Sequence, residues 1–325
     1  MSEFNIAAIR QAASRLQGRV VRTPLLESPM LSERAGCRLF VKAEALQLTG
    51  SFKIRGALNK ILSMDEASRK AGIVAFSAGN HGQGVAAAAL TVGCPAVIVM
   101  PDTAPRIKVN NCRWWGAEVV TYDPQTEDRI EVAERVARLR GMTVVPPFDD
   151  YDIMAGQGTC GLEIVEQLND LHVTPDTIII NCSGGGLASG VAEAVKDAFP
   201  DTTILIAEVL GYEKVARSLA TGIPQSNPSV PKTVLDGIAG PTAGEKTLAV
   251  LRRHQARGIG VSDSEGLAGV AAAFKMLKII VEPGGAAALG TVLAGKVDVA
   301  GKNVVVIASG GNVDPAVFSS ALERC

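Results

Sequence analysis

Short unbroken runs of Val and Ile recur along this chain, and most give way to a glycine-rich bend and an Ala-rich stretch. Gly72-Ile73-Val74-Ala75-Phe76, Ala96-Val97-Ile98-Val99-Met100 and Glu118-Val119-Val120-Thr121-Tyr122 have the length and β-branched content of strands. So do Thr177-Ile178-Ile179-Ile180, Thr203-Ile204-Leu205-Ile206 and Asn303-Val304-Val305-Val306-Ile307. Strict apolar–polar alternation, the mark of a strand wet on one face, is absent from most of them. Strands apolar on both faces are buried on both, and strands separated by helices run parallel, so an α/β fold follows.

The helical stretches carry their own signals. From Asp128 to Arg140, Ile130, Ala133, Val136 and Ala137 fall at helical spacing, and Gly141 closes the run. Glu131–Arg135 and Glu134–Arg138 stand in the favourable i,i+4 order. Val85 to Thr91 reads as a further helix, Pro101 as the stop of the strand before it, and Thr221 to Thr233 as one surface loop.

Composition closes off several classes. With 325 residues, 47% hydrophobic, 20% charged and a formal charge of -1, the chain has the balance of a globular protein of about two domains. A nucleic-acid surface needs a basic excess, and single-strand binding needs aromatic platforms; with 4% aromatics neither is expected. No apolar stretch reaches membrane-spanning length and no signal-peptide pattern opens the chain, so a cytoplasmic protein is expected. Cys37, Cys94, Cys112, Cys160, Cys182 and Cys325 form no CxxC pair and read as buried or free thiols. His81, His172 and His254 share no metal-ligand spacing.

Chemistry concentrates at four places. Lys53, in Thr49-Gly50-Ser51-Phe52-Lys53-Ile54-Arg55-Gly56-Ala57, stands between an aromatic and a branched aliphatic residue. Desolvation there would favour the neutral amine, which can attack a carbonyl and hold pyridoxal phosphate as a Schiff base. A surface lysine on a basic patch with Arg55 fits the same residues. Ser183-Gly184-Gly185-Gly186-Leu187 joins a strand to a helix, as either an anion-binding loop or a tight turn. Ser77-Ala78-Gly79-Asn80-His81-Gly82 and Ser309-Gly310-Gly311-Asn312 follow other strands, facing a ligand or capping helices.

Together these residues resemble the fold-type II, pyridoxal-phosphate-dependent threonine/serine dehydratases, the tryptophan-synthase β family. The resemblance extends to Pro101-Asp102, Pro105 to Lys108, Pro146 to Thr159, Asp236-Gly237-Ile238-Ala239 and Glu282-Pro283. It implies two α/β domains with parallel or mixed sheets: residues 1–65 and 146–325 a large cofactor-binding domain, 66–145 a small mobile one. It further implies pyridoxal 5'-phosphate as cofactor, a small amino acid as substrate, and a homodimer. Lys53 would carry the cofactor and take the Cα proton. Phe52 would pack on its ring, Asn80 would bond its 3′-oxygen, and amides of Gly184, Gly185, Gly186 and Leu187 would hold its phosphate. Ser77, Asn80 and His81, with Ser51 or Thr49 nearby, would bind the substrate carboxylate. Gly237 and Glu282 would line the pocket, and Ser309 would face the pyridine nitrogen. The implied reaction is loss of water from L-threonine or L-serine to an aminoacrylate-type product, whose hydrolysis gives a 2-oxo acid and ammonia.

Two departures refine this. Racemases of the family place a serine where this chain has Ala78, and a methyl group cannot return a proton, which favours dehydration. Many relatives bind a divalent cation through a carboxylate, matched by Glu208, and a second acidic residue, where this chain has Lys214. The ammonium would repel or replace a cation, or both residues are solvated; no metal ligand is expected. β-Replacement enzymes share the fold, but Gly56-Ala57 and Asp236 to Ala239 look more like dehydratases. A non-catalytic amino-acid binder is the alternative outside enzymes. A specialised substrate such as 3-hydroxyaspartate would call for an extra cation, for which Arg106 and Lys108 are candidates.

Overall fold

The computed structural model describes residues 4–323, in which two sheets lie among helices. Cys325 lies outside the described residues; the other five cysteines are buried free thiols. The first sheet has six strands in the order β1 (Leu25–Glu27), β2 (Arg38–Lys42), β10 (Asn303–Ile307), β7 (Thr177–Asn181), β8 (Thr203–Val209), β9 (Arg257–Val261). The second has four: β5 (Glu118–Tyr122), β4 (Ala96–Pro101), β3 (Ile73–Phe76), β6 (Thr143–Val144). Every pairing is parallel except that of β1 with β2.

The continuous apolar runs are explained by burial on both faces. Ile179, Val304 and Val306 join a core under helices 263–272 and 287–293, whereas Ile178, Ile180, Val305 and Ile307 join another under helices 151–170 and 186–198. In the small sheet, Ala75 and Ile98 pack towards helices 53–63 and 80–92, while Val74, Val97 and Val99 pack on helix 129–140.

Strand order reverses once in each sheet. From β7 the chain proceeds through β8 to β9 on one side, and β10 lies on the other; from β3 it proceeds through β4 to β5, with β6 opposite. Such reversals leave a crevice outside the carboxyl ends of the strands. Ser183–Leu187 follows β7, Ser309 follows β10, and Ser77–His81 follows β3.

Helix 53–63 packs against both helix 80–92 and helix 151–170. The approach is close: a Cβ at Gly156 would fall 2.5 Å from the Arg55 carbonyl oxygen. Two expectations need correcting. The helix expected from Val85 starts at Asn80, so Asn80 and His81 form its first turn. Arg138 reaches Glu134 at 3.7 Å, but Arg135 pairs with Glu127 at 2.8 Å and not with Glu131.

Candidate active site

A cavity of about 380 Å³ opens where the two reversals face one another, lined by all three glycine-containing loops and by Lys53. A shallower hollow of about 480 Å³ lies by Thr177, Thr203 and Lys302, at the amino ends of the large sheet's strands. Ligands of α/β sheets bind at the carboxyl ends, and the smaller cavity is the one built there.

Lys53 is the first residue of helix 53–63. Its Nζ donates to the Pro147 carbonyl at 2.9 Å and lies 5.2 Å from the centre of the Phe52 ring. Burial pushes its ammonium down from the ordinary 10.5 to about 8. The basic-patch reading of this segment fails on Arg55, whose side chain is wholly buried. Arg55 donates to Glu44 at 2.8 Å and to Glu163 at 2.7 Å, and Lys42 donates to Glu163 at 2.6 Å. Two cations against two carboxylates balance the buried charge, the condition under which such a cluster is tolerated. The cluster anchors the first turn that begins with Lys53.

Gly184 to Leu187 enter the first turn of helix 186–198. A Cβ on Gly184 would lie 2.4 Å from the Phe148 ring, and Gly185 has φ +97. Thr247 Oγ1 donates to the Gly184 carbonyl at 2.7 Å, and Asp149 caps the helix carrying Thr247. The unpaired amides of a helix start, on a loop whose glycines contribute no side chains of their own, suit a phosphate.

Asn80 bridges the sheets. Its Nδ2 donates to Glu282 Oε1 at 2.6 Å, and its Oδ1 accepts from Asn312 Nδ2 at 2.8 Å. Burial first, and the Asp236 charge second, lift the Glu282 carboxyl from 4.5 to about 7 against the pull of Asn80 and Lys108. Gly237 lies on the same wall, where an added Cβ would stand 3.4 Å from Glu282 Oε1. His81 turns its ring away: Nε2 meets the Val145 carbonyl at 3.0 Å. Burial, with the Lys53 charge second, lowers its imidazole to about 3, so the ring is neutral and Nε2 carries the proton. What His81 offers a ligand is its backbone N–H. Ser77 Oγ accepts from Gly79 N at 3.1 Å and lines the cavity beside Ala78.

Ser309 also lines the cavity, and its Oγ accepts from Asn181 Nδ2 at 3.0 Å. Ser51 is not brought to the cavity wall; it is fully buried, and its hydroxyl, like that of Thr49, has no partner. Of the two candidate cations, Lys108 lines the cavity, 3.8 Å from Asp236, and Arg106 does not. Arg129, absent from the sequence expectations, stands at the mouth with its guanidinium 5.8 Å from the Phe76 ring centre. Glu208 and Lys214 are buried together, Nζ 3.4 Å from Oε1, which removes the reading of both as solvated.

Pyridoxal phosphate fits this set: an amine of lowered basicity, an aromatic face, an anion-binding loop and a neutral hydroxyl at separate walls of one cavity. Asn181 and Thr247 gave no recognisable signal in sequence, because each acts through a neighbour distant along the chain, and Phe148 and Asp149 fell within the Pro146 to Thr159 resemblance without a role of their own.

A family model described as pyridoxal-phosphate dependent enzyme matches residues 16–310. The chain is 39% identical over 313 residues to an L-threo-3-hydroxyaspartate ammonia-lyase of Pseudomonas sp, covering 96% of this chain and 97% of that protein. It is 39% identical over 316 residues to an L-threonine ammonia-lyase of Thermotoga maritima, covering 97% and 77%. The solved structure of maize serine racemase superposes with a TM-score of 0.91 at 36% identity, covering 99% of this chain and 98% of that one.

Proposed function

This chain belongs to the pyridoxal-phosphate-dependent enzymes, and on that premise we propose that it is an ammonia-lyase: a β-hydroxy amino acid loses water, and hydrolysis of the resulting enamine consumes one water and releases a 2-oxo acid and ammonia. The observation carrying this reading is Lys53, with its ammonium lowered to about 8, on the wall shared by the carboxylate and phosphate loops. When bound, the cofactor supplies an electron sink that allows a Cα–H bond to break and a β-substituent to depart.

The protein supplies position and protons. Lys53 holds the cofactor through its amine and, once released, takes the Cα proton. Amides of Gly184, Gly185, Gly186 and Leu187 hold the phosphate, and Phe52 packs on the ring. Asn80, fixed by Glu282 and Asn312, presents its amide to the ring oxygen. Ser77, Asn80 and the His81 N–H bind the substrate carboxylate at the start of helix 80–92, where the helix dipole favours an anion. Ser309 would give the cofactor's ring nitrogen a hydroxyl in place of a carboxylate, a partner that does not hold a proton there, so the electron sink it supplies would be a weak one. That favours prompt loss of the β-hydroxyl. Ala78 on the cavity wall offers no proton for racemisation.

L-threonine and L-serine are the default substrates. A dicarboxylic substrate, L-threo-3-hydroxyaspartate, is the second reading, favoured by Lys108 and Arg129 on the same cavity. Residues 66–145 act as a small domain closing on the large one formed by 1–65 and 146–325, excluding water from the reacting carbon. The reading includes a cytoplasmic location; among the described residues no helix is long and apolar enough to cross a membrane. The exposed Leu46, Leu48 and Ile280 suit a second copy of the chain in a homodimer. Release of 2-oxo acid and ammonia from the three amino acids, with Lys53→Ala as control, tests the reading; absence of Lys53-dependent release from all three overturns it.

A further inference from the structure

Asn181 ends β7, following Thr177 and three isoleucines, as its one side-chain amide, and it is almost fully buried. Its orientation is settled by its neighbours. Oδ1 accepts from the Ala288 N–H at 2.6 Å, so the other end must be nitrogen. Nδ2 donates to the Gly285 carbonyl at 2.6 Å, the Ile307 carbonyl at 2.8 Å and Ser309 Oγ at 3.0 Å. Two amide protons serve three acceptors. An amide nitrogen has no lone pair to offer, so Ser309 Oγ is necessarily the acceptor in that contact.

This fixes what Ser309 can do. With one lone-pair position of Oγ filled from Asn181, the hydroxyl proton points elsewhere, and no acceptor among the described residues takes it. Ser309 lines the cavity, which leaves the cavity as the direction for that proton. A hydroxyl that receives a hydrogen bond is polarised into a stronger donor and a poorer acceptor.

We infer that Asn181 is a positioning residue that makes Ser309 a one-way donor toward the cofactor's ring nitrogen, disfavouring protonation of that nitrogen. The inference rests on the proposed placement of Ser309 against the ring. A buried amide shared among β7, β10 and the 285–288 turn would also tie the fold together, so the test must read the nitrogen itself.

The experiment reconstitutes the protein with pyridoxal phosphate labelled with ¹⁵N in the ring and follows the ring signal against pH for wild type, Ser309→Ala, Asn181→Leu and Asn181→Ser. Loss of one neutral hydrogen bond corresponds to about a five- to tenfold change in an equilibrium. Both Asn181 variants are therefore expected to raise the nitrogen's proton affinity by about that factor, with the transamination-to-elimination ratio rising alongside. Asn181→Ser is small enough to admit water to the vacated carbonyls and keeps the test alive should Asn181→Leu fail to fold. If Ser309→Ala shifts the signal and both folded Asn181 variants leave it unchanged, Asn181 is a structural tie and the inference is overturned. If Ser309→Ala also leaves it unchanged, the placement of Ser309 fails, and with it the premise.

Discussion

Asn80 and Glu282 are 202 residues apart in sequence, yet the amide of one donates to the carboxyl of the other at 2.6 Å across the cavity between the two sheets. Asn80 opens helix 80–92 beside the small sheet, and Glu282 precedes helix 287–293, its backbone N–H donating to the Gly310 carbonyl at 2.9 Å just beyond β10. The contact holds Asn80 in one orientation and buries a carboxyl beside Asp236.

That burial has a pH signature. The folded value of Glu282 is about 7 against an ordinary 4.5, so folding takes up a proton between these limits. The stabilisation of the neutral form is complete below 4.5 and is lost as pH rises through 7. In cofactor-free protein, Glu282→Gln should therefore gain on wild type by about 2 kcal/mol between pH 5 and pH 8. Denaturant unfolding at both pH values measures it. A constant difference would mean that Glu282 is ionised throughout.

Lys53 titrates in the opposite sense. With its ammonium at about 8, neutral amine grows about tenfold from pH 7 to pH 9, whereas an ordinary lysine would gain about a hundredfold. The rate of cofactor capture by stripped protein, followed by the visible absorbance it produces, should track the tenfold rise and level off. A hundredfold rise would place the amine in an ordinary solvated state.

How far sequence reached is itself physical. Ile178, Val305 and their neighbours announced strands because both faces are buried, leaving no polar position to blur the run. The strand Arg257-Gly258-Ile259-Gly260-Val261 was illegible, since its polar and glycine residues suit a sheet edge with little apolar cover. Lys53 and the glycine loops were legible through local residue choice. Asn181 was not, because a polar residue at a strand end looks like the start of a loop until Ser309, 128 residues away, is seen beside it. Arg129 lay unnamed within the Asp128 to Arg140 helix, because nothing local to it shows that the helix start faces the cavity.

Lys214 and Glu208 form a buried pair whose carboxylate also accepts the backbone N–H of Val215 at 2.9 Å and of Ala216 at 2.8 Å. Removing the ammonium leaves that carboxylate buried without its cation. Lys214→Met should cost about 3–5 kcal/mol in urea unfolding, and Glu208→Gln in the same chain should recover much of it. Equal losses in single and double variants would show that the lysine acts by packing alone.

Gly184 faces Phe148, whose ring atoms would lie 2.4 Å from an added methyl group. The ring is half-buried and lines the cavity, so the space into which it would yield is the cavity itself, beside the glycine loop. Gly184→Ala should cost about 1–3 kcal/mol of stability through overpacking and weaken cofactor affinity at least tenfold. Fluorescence titration of stripped protein with pyridoxal phosphate measures the second effect. Unchanged affinity would remove the loop from the phosphate site.

Arg129 decides between the two substrate readings. It stands at the cavity mouth, at the first position of helix 129–140, and pairs with no carboxylate among the described residues. A substrate bearing a second carboxylate would present it to this guanidinium and to Lys108, whereas the threonine methyl group offers neither cation anything to hold. A charge-assisted hydrogen bond contributes about 1.5–3 kcal/mol, or roughly ten- to a hundredfold. If the dicarboxylic reading holds, Arg129→Ala lowers kcat/KM for L-threo-3-hydroxyaspartate by about that factor and leaves the value for L-threonine within about twofold. Equal losses for both substrates would instead tie Arg129 to closure of the small domain. No loss for either would return L-threonine and L-serine as the substrates that the cavity serves.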